Sequence, residues 1–120
     1  MALIAVAGAW LGLFSPASET PEAPLAIVPI TSYAGSERDP SFSPDGNQVA
    51  FSWDGENQDN YDIYVQLVGS GSPLRLTTNP APDYAPVWSP DSRNIAFVRE
   101  GEEAPGIYLV SPLGGPERQE

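Results

Sequence analysis

The residues of this chain whose types could do chemistry are carboxylates, hydroxyls and arginines. Among 120 residues there is no His and no Cys, and the five basic side chains (Arg38, Arg75, Arg93, Arg99 and Arg118) are all arginine. The densest candidate is Asp54-Gly-Glu56-Asn57-Gln-Asp59-Asn60-Tyr-Asp62. Its oxygens could hold Ca²⁺, which takes about six to eight such donors. The spacing departs from the D-x-[DN]-x-[DN]-G calcium loop, because the sixth place is Asp59 and not glycine. The alternative is a solvated hairpin tip in which Asp62 bonds nearby backbone, and that reading is adopted here. Asp45 and Asp91 could pass for catalytic carboxylates, but each sits in the same short turn motif, which assigns them a structural role.

Ser43 and Ser89 each precede a proline. Without histidine they have no general base for a serine triad, and without lysine they have no Ser-Lys dyad. Glu100, Glu102 and Glu103 form a charged loop, and nothing pairs them into the two opposed carboxylates of a glycosidase. The expectation is a non-catalytic chain with no cofactor-binding, metal-binding or catalytic residues. A net charge of −11 excludes nucleic acid as a partner. The absence of Cys removes disulfides and thiolate metal sites. Pro 14 and Gly 11 approach the level of a disordered chain, but 41% hydrophobic and 10% aromatic content supports a packed, turn-rich β domain.

The elements that must position these residues come from an internal repeat. Pro40-Ser-Phe42-Ser-Pro-Asp45-Gly46-Asn-Gln-Val49-Ala50-Phe51 aligns with Pro86-Val-Trp88-Ser-Pro-Asp91-Ser92-Arg-Asn-Ile95-Ala96-Phe97 at an offset of 46, which Thr31 and Thr77 share. Ile63-Tyr64-Val65 then matches Ile107-Tyr108-Leu109 at an offset of 44, with Arg75 answered near Arg118. A unit of about 45 residues is typical of propeller blades rather than helical solenoids. Pro40–Ser43 and Ala85–Ser89 read as short strands carrying one inward aromatic each, Phe42 or Trp88. Each ends in Ser-Pro-Asp-Gly or Ser-Pro-Asp-Ser, where Pro presets φ, Asp bonds backbone amides and Gly supplies a positive φ. Ser92 stands where the first copy has Gly46, at a cost of about 1 kcal/mol if it must be left-handed.

Val49, Phe51 and Trp53 alternate along a second strand, as do Ile95 and Phe97. Asp62–Leu67 forms a third strand and Leu74–Thr77 a fourth, giving four antiparallel strands per blade. Leu25–Thr31 reads as a lone fourth strand, and the second copy stops short of its own. The fold class is all-β, with blades over residues 32–77 and 78–120. Trp53, Trp88, Tyr64 and Tyr108 read as blade-packing aromatics. Tyr33, Tyr61 and Tyr84, near loops, read as exposed contributors to a partner surface.

Phe42-Ser-Pro-Asp-Gly-Asn-Gln-Val-Ala-Phe51, followed by Asp62-Ile-Tyr-Val65 and Arg75-Leu-Thr77, resembles the WD40-like repeats of the TolB type, the PD40 blades of bacterial envelope proteins. The resemblance covers Leu25 to Arg118 and occurs twice. It implies a six- or seven-bladed propeller and a periplasmic or extracytoplasmic location. Such blades serve TolB-like envelope proteins, prolyl-oligopeptidase-like peptidases and membrane-tethered signalling proteins.

Met1–Phe14 holds no charged or polar side chain. It could be the distal part of a transmembrane helix, with Trp10 and Phe14 at the interface. The alternatives are a signal-peptide h-region ending near Ser15-Pro16-Ala17, which lacks a basic n-region, and a short buried helix. Residues 15–24 are Pro-rich and read as a hydrated spacer. A tether, a spacer and then blades is the order of the signalling proteins, so the expected function is a protein-interaction module of a membrane-tethered sensor or regulator. The alternatives are the gating propeller of a serine peptidase and a TolB-like envelope-integrity protein. The expected partner is a protein or peptide. Two blades leave open faces that invite self-association, and on that ground the chain reads as part of a longer propeller.

Overall fold

The computed structural model describes residues 25–27 and 29–120. The expectations for the apolar segment 1–14 and the spacer 15–24 lie outside them. Eight strands form two four-stranded antiparallel sheets. The first runs β1 (Glu37–Phe42), β2 (Gln48–Trp53), β3 (Asp62–Leu67), β4 (Leu74–Arg75). The second runs β5 (Asp83–Trp88), β6 (Ile95–Arg99), β7 (Gly106–Val110), β8 (Arg118–Gln119). In both sheets the strands lie side by side in chain order, as in propeller blades.

Side chains alternate across each sheet. Ala50 pairs with Val65 and Ser52 with Ile63, so these four share the face of blade 1 that meets blade 2. Val49, Phe51, Trp53 and Tyr64 share the other face and form a separate buried cluster, against which Ile30 and Tyr33 pack. The larger core lies between the sheets. There Ala50, Ile63, Val65 and Leu76 meet Trp88, Ile95, Phe97, Tyr108 and Val110. Trp88 is buried, and its indole N–H donates to the Ser41 carbonyl at 3.0 Å. The Ser52 hydroxyl donates to the Asp83 carbonyl at 2.7 Å, and the Ala85 amide to an Asp39 carboxylate oxygen at 3.3 Å. The blades are therefore fastened by apolar contact and by polar bonds at the inner strands.

The turns behave as their sequence predicts. Gly46 and Ser92 both adopt positive φ, 74° and 62°, and their amides close the turn onto the Ser43 and Ser89 carbonyls at 2.8 and 3.0 Å. Ser92 thus holds the left-handed conformation that favours glycine.

Four expectations need correction. The first strand of each blade starts earlier than expected, at Glu37 and not Pro40 and at Asp83 and not Ala85, because a bulge carries the chain past the proline. Asp39 and Ala85 occupy that bulge with φ of 54° and 53°, and a bulge tolerates a residue with no N–H. The second blade does possess a fourth strand, since Arg118 pairs with Leu109 and Gln119 with Tyr108. In the same register Arg75, opposite Tyr64, answers to Gln119, next to Arg118 as the repeat predicts. The described residues of 25–31 are not in a strand, since no neighbouring sheet edge receives them; Ile30 instead packs on the open face of blade 1. Finally, Phe42 is 52% exposed while its repeat mate Trp88 is 7% exposed, because only Trp88 has a blade to pack against.

This difference gives a paired prediction. Trp88→Ala should destabilise the chain by about 3–5 kcal/mol by opening the inter-blade core. Phe42→Ala, at the same repeat position, should cost less than about 1 kcal/mol in dilute solution. Urea unfolding of the two variants, compared at equal m-value, checks both.

Candidate functional site

Two turns that could be mistaken for catalytic centres are locks. The Ser43 hydroxyl donates to an Asp45 carboxylate oxygen at 2.6 Å and accepts from the Gln48 amide at 3.0 Å, while Asp45 also accepts from the Asn47 amide at 3.0 Å. Ser89, Asp91, Arg93 and Asn94 repeat this arrangement at 2.6, 3.0 and 3.0 Å. Hydrogen bonds, from the serine hydroxyl first and then the backbone amide, hold both carboxyls below their ordinary value.

The acidic segment is broken up by the fold. Asp54 leaves the hairpin and accepts from the Ser36 amide at 2.9 Å. Asp62 is not at a tip bonding backbone, as its sequence neighbourhood suggests, but is buried at the start of β3. Its carboxylate accepts from Arg75 Nη2 at 2.5 Å and Nε at 3.1 Å, and from the Asn60 side-chain amide at 3.2 Å. Burial pushes the Asp62 carboxyl up, and the Arg75 guanidinium works against that shift. Asp62 in turn raises Arg75. Among the described residues, no group of three carboxylates gathers as a metal ion would need.

What the hairpin does enclose is an open cavity of about 410 Å³, walled by Trp53, Tyr64, Glu56, Asp59, Asp62 and Arg75. Trp53 packs edge-on to Tyr64, with ring centroids 4.9 Å apart, and Tyr33 closes over Trp53 at 5.0 Å. Burial raises the Tyr64 hydroxyl, which keeps it protonated. Tyr33 is therefore no free loop residue: its hydroxyl donates to the Gln66 side chain at 2.7 Å and its ring covers the blade.

Tyr61 and Tyr84 come together where the blades meet. Their rings lie 5.1 Å apart, and the Arg38 guanidinium sits 5.1 Å from one and 5.9 Å from the other. Both tyrosines are half-buried, with Arg38 on the exposed side. Arg38 and Tyr84 stand at the start of β1 and β5 and Tyr61 just before β3, so this stack lies at the end of the blades that carries the β2–β3 loop, opposite the Ser-Pro-Asp turns. The Tyr84 hydroxyl is raised, first by burial and then by Glu100. Sequence reasoning selected the tyrosines but gave Arg38 no role; its position one residue into β1, opposite Ser52, follows only from the register.

Sequence reasoning also missed the buried ion pair of blade 2. Arg99 grips Asp83 through Nε and Nη2 at 2.8 and 3.0 Å, and its Nη1 reaches Glu117 at 2.5 Å. Its guanidinium stacks 4.3 Å from the Tyr108 ring, the place that Trp53 takes beside Tyr64 in blade 1. The hydrogen bond to Asp83 leads in raising Arg99, which stays charged at any working pH. The one signal available was the offset of 46, which aligns Asp83 with another acid, Glu37.

The paired sheets, the repeated Ser-Pro-Asp turns and the inter-blade tryptophan define a β-propeller repeat protein. The TolB beta propeller domain family, PD40, matches residues 25–119, and the chain belongs to that family. It is 34% identical over 85 residues to the Tol-Pal system protein TolB of Francisella tularensis subsp. mediasiatica (strain FSC147), and equally to that of subsp. holarctica (strain OSU18). Each match covers 71% of this chain and 19% of the relative. A crystal structure of TolB from Acinetobacter baumannii superposes with a TM-score of 0.63 at 27% identity, over 75% of this chain and 22% of that one. The chain thus spans about a fifth of the length of the relatives it matches.

Two predictions follow from the charges. Arg99→Ala strands the buried Asp83 carboxylate and should cost about 3–5 kcal/mol in urea unfolding. The depressed carboxyls of Asp45 and Asp91 contribute stability that is present above their ordinary value of 3.8 and is lost as pH falls through their lower folded values. Asp45→Asn/Asp91→Asn should therefore melt below the native chain at pH 7, and the gap in Tm should close in strong acid.

Proposed function

We propose that this chain is a non-catalytic protein-interaction module of a bacterial envelope propeller, and that a protein or peptide partner docks at the end of the blades that carries the β2–β3 loop, where β1 and β5 begin. The observation that carries this reading is the Arg38–Tyr61–Tyr84 stack. Tyrosine and arginine concentrate binding energy at interfaces, because each offers large, ordered area with a polar tip. Here three such side chains from two blades hold one another in place before any partner arrives, which lowers the ordering cost of association. Glu56 and Asp59 stand exposed at the same end, so a partner with basic residues at its rim suits this surface.

The relatives carry the name Tol-Pal system protein TolB, which favours a TolB-like role in the envelope over a peptidase gate. A periplasmic location accords with that role. The tethered sensor or regulator remains a finer form of the same reading, supported by the order of the apolar stretch Met1–Phe14, the Pro-rich spacer and the blades. In both forms the blades bind and the loops choose.

A photo-crosslinking amino acid at position 84, in the full chain expressed in a bacterial envelope, tests the proposal. The expected result is a discrete protein adduct that is lost in Arg38→Ala/Tyr61→Ala. The same probe at Leu113, in the loop at the opposite end, should give no such adduct. Equal adducts from both positions, or none from position 84, would overturn it.

A further inference from the structure

Tyr61 and Tyr84 sit on two backbone segments with few bonds to spare for each other. The segment that enters β5 contains Pro80 and Pro82, which have no N–H to donate. The Ala81 amide is spent on the Asn79 side chain at 2.9 Å, and the Asp83 amide donates to the Tyr61 carbonyl at 2.9 Å. That last bond joins the two segments beside both rings. Alone it is a pivot, and it leaves the angle between them open.

A second tie comes from Asn60. Its side-chain amide donates to the Asn79 carbonyl at 2.9 Å, on the segment that leads to Tyr84, and to one Asp62 carboxylate oxygen at 3.2 Å. It also reaches the Tyr61 carbonyl at 3.3 Å. Asp62 is a fixed anchor, because it is buried and Arg75 holds its other carboxylate oxygen. Asn60 is thus bonded on both sides of the gap that the two rings close.

The blade itself does not require this tie. At the offset of 44, Asn60 answers to Ala104 and Tyr61 to Pro105. Yet β6 and β7 pair in the register of β2 and β3, with Arg99 opposite Gly106 where Trp53 stands opposite Asp62. Blade 2 builds the same hairpin with neither the amide nor the ring. The two occur together in one blade and are absent together from the other.

We propose that Asn60 is a positioning residue of the docking surface, its side-chain amide setting the angle at which Tyr61 meets Tyr84 and Arg38. This role rests on the docking of a partner beside Tyr84. Asn60 acts through Tyr61 and needs no contact with the partner.

Asn60→Ala, and Asn60→Asp, which keeps the shape and loses the donor, test this in the full chain. In the native chain NMR should show cross-relaxation between the Tyr61 and Tyr84 rings. Both variants should lose it, while the Trp88 indole N–H signal and the urea midpoint stay close to native. The adduct from a photo-crosslinking residue at position 84 should fall about fivefold in each, the factor that one ordinary hydrogen bond allows. Ring contacts that persist in Asn60→Ala would overturn the proposal, as would an unchanged adduct once the contacts are lost. A folded Asn60→Asp that keeps the contacts would also overturn it, since the donor would then be idle. So would a displaced Trp88 signal, which would make Asn60 a general support of the fold. A native chain that forms no adduct overturns the docking reading instead, and loss of the ring contacts would still assign Asn60 to the stack.

Discussion

The seating of Trp88 between the two sheets is the contact on which the rest depends. A single four-stranded blade has apolar side chains on both faces, so neither blade can bury its own. Packing one on the other covers the Ala50–Ile63–Val65 face and fixes the inner strands side by side. Only with that geometry do Arg38, Tyr61 and Tyr84 meet, since they come from β1, from the residue before β3 and from the start of β5. The candidate binding surface is a product of the inter-blade core and not of any one loop.

The polar residues serve that core in two ways. Ser-Pro-Asp turns join the first two strands of each blade and satisfy their own backbone amides. Arginine–carboxylate pairs on buried aspartates then hold strands together where aromatic rings leave room. In blade 1 the pair is Asp62 with Arg75, tying β3 to β4; in blade 2 it is Asp83 with Arg99, tying β5 to β6. Arg75 is half exposed over a buried Asp62, while Asp83 and Arg99 are both buried; a fully buried pair adds little net stability, because desolvation offsets its attraction, but losing one partner is costly.

Much of this architecture was legible in the sequence because a repeat offers two readings of every position. Phe42-Ser-Pro-Asp-Gly and Trp88-Ser-Pro-Asp-Ser located the turns, the hairpins and the left-handed Ser92. Where sequence reasoning failed, the cause was a property of neighbours and not of the residue. Phe42 was expected inward because Trp88 was, yet exposure depends on whether a blade lies opposite. Asp62 read as a loop acid because its partner Arg75 is 13 residues away. Pro40 and Ala85 looked like strand starts, and a bulge carried each strand through from Glu37 and Asp83. The Tyr61–Tyr84 contact joins different blades, and periodicity within either one says nothing about it.

The two ion pairs occupy different places in the same repeat, and this bears on how the chain finds its fold. Tandem copies of one unit risk pairing a strand with the wrong copy during folding. Gly106 and Gln119 stand where blade 1 has Asp62 and Arg75, while Glu37 and Trp53 stand where blade 2 has Asp83 and Arg99. If β4 and β8 were exchanged, Asp62 would lie buried opposite Gln119; if β1 and β5 were exchanged, Asp83 would lie buried against Trp53. Either error isolates a carboxylate at a cost of about 3–5 kcal/mol. The displaced charges therefore act as labels that let each strand recognise its own blade.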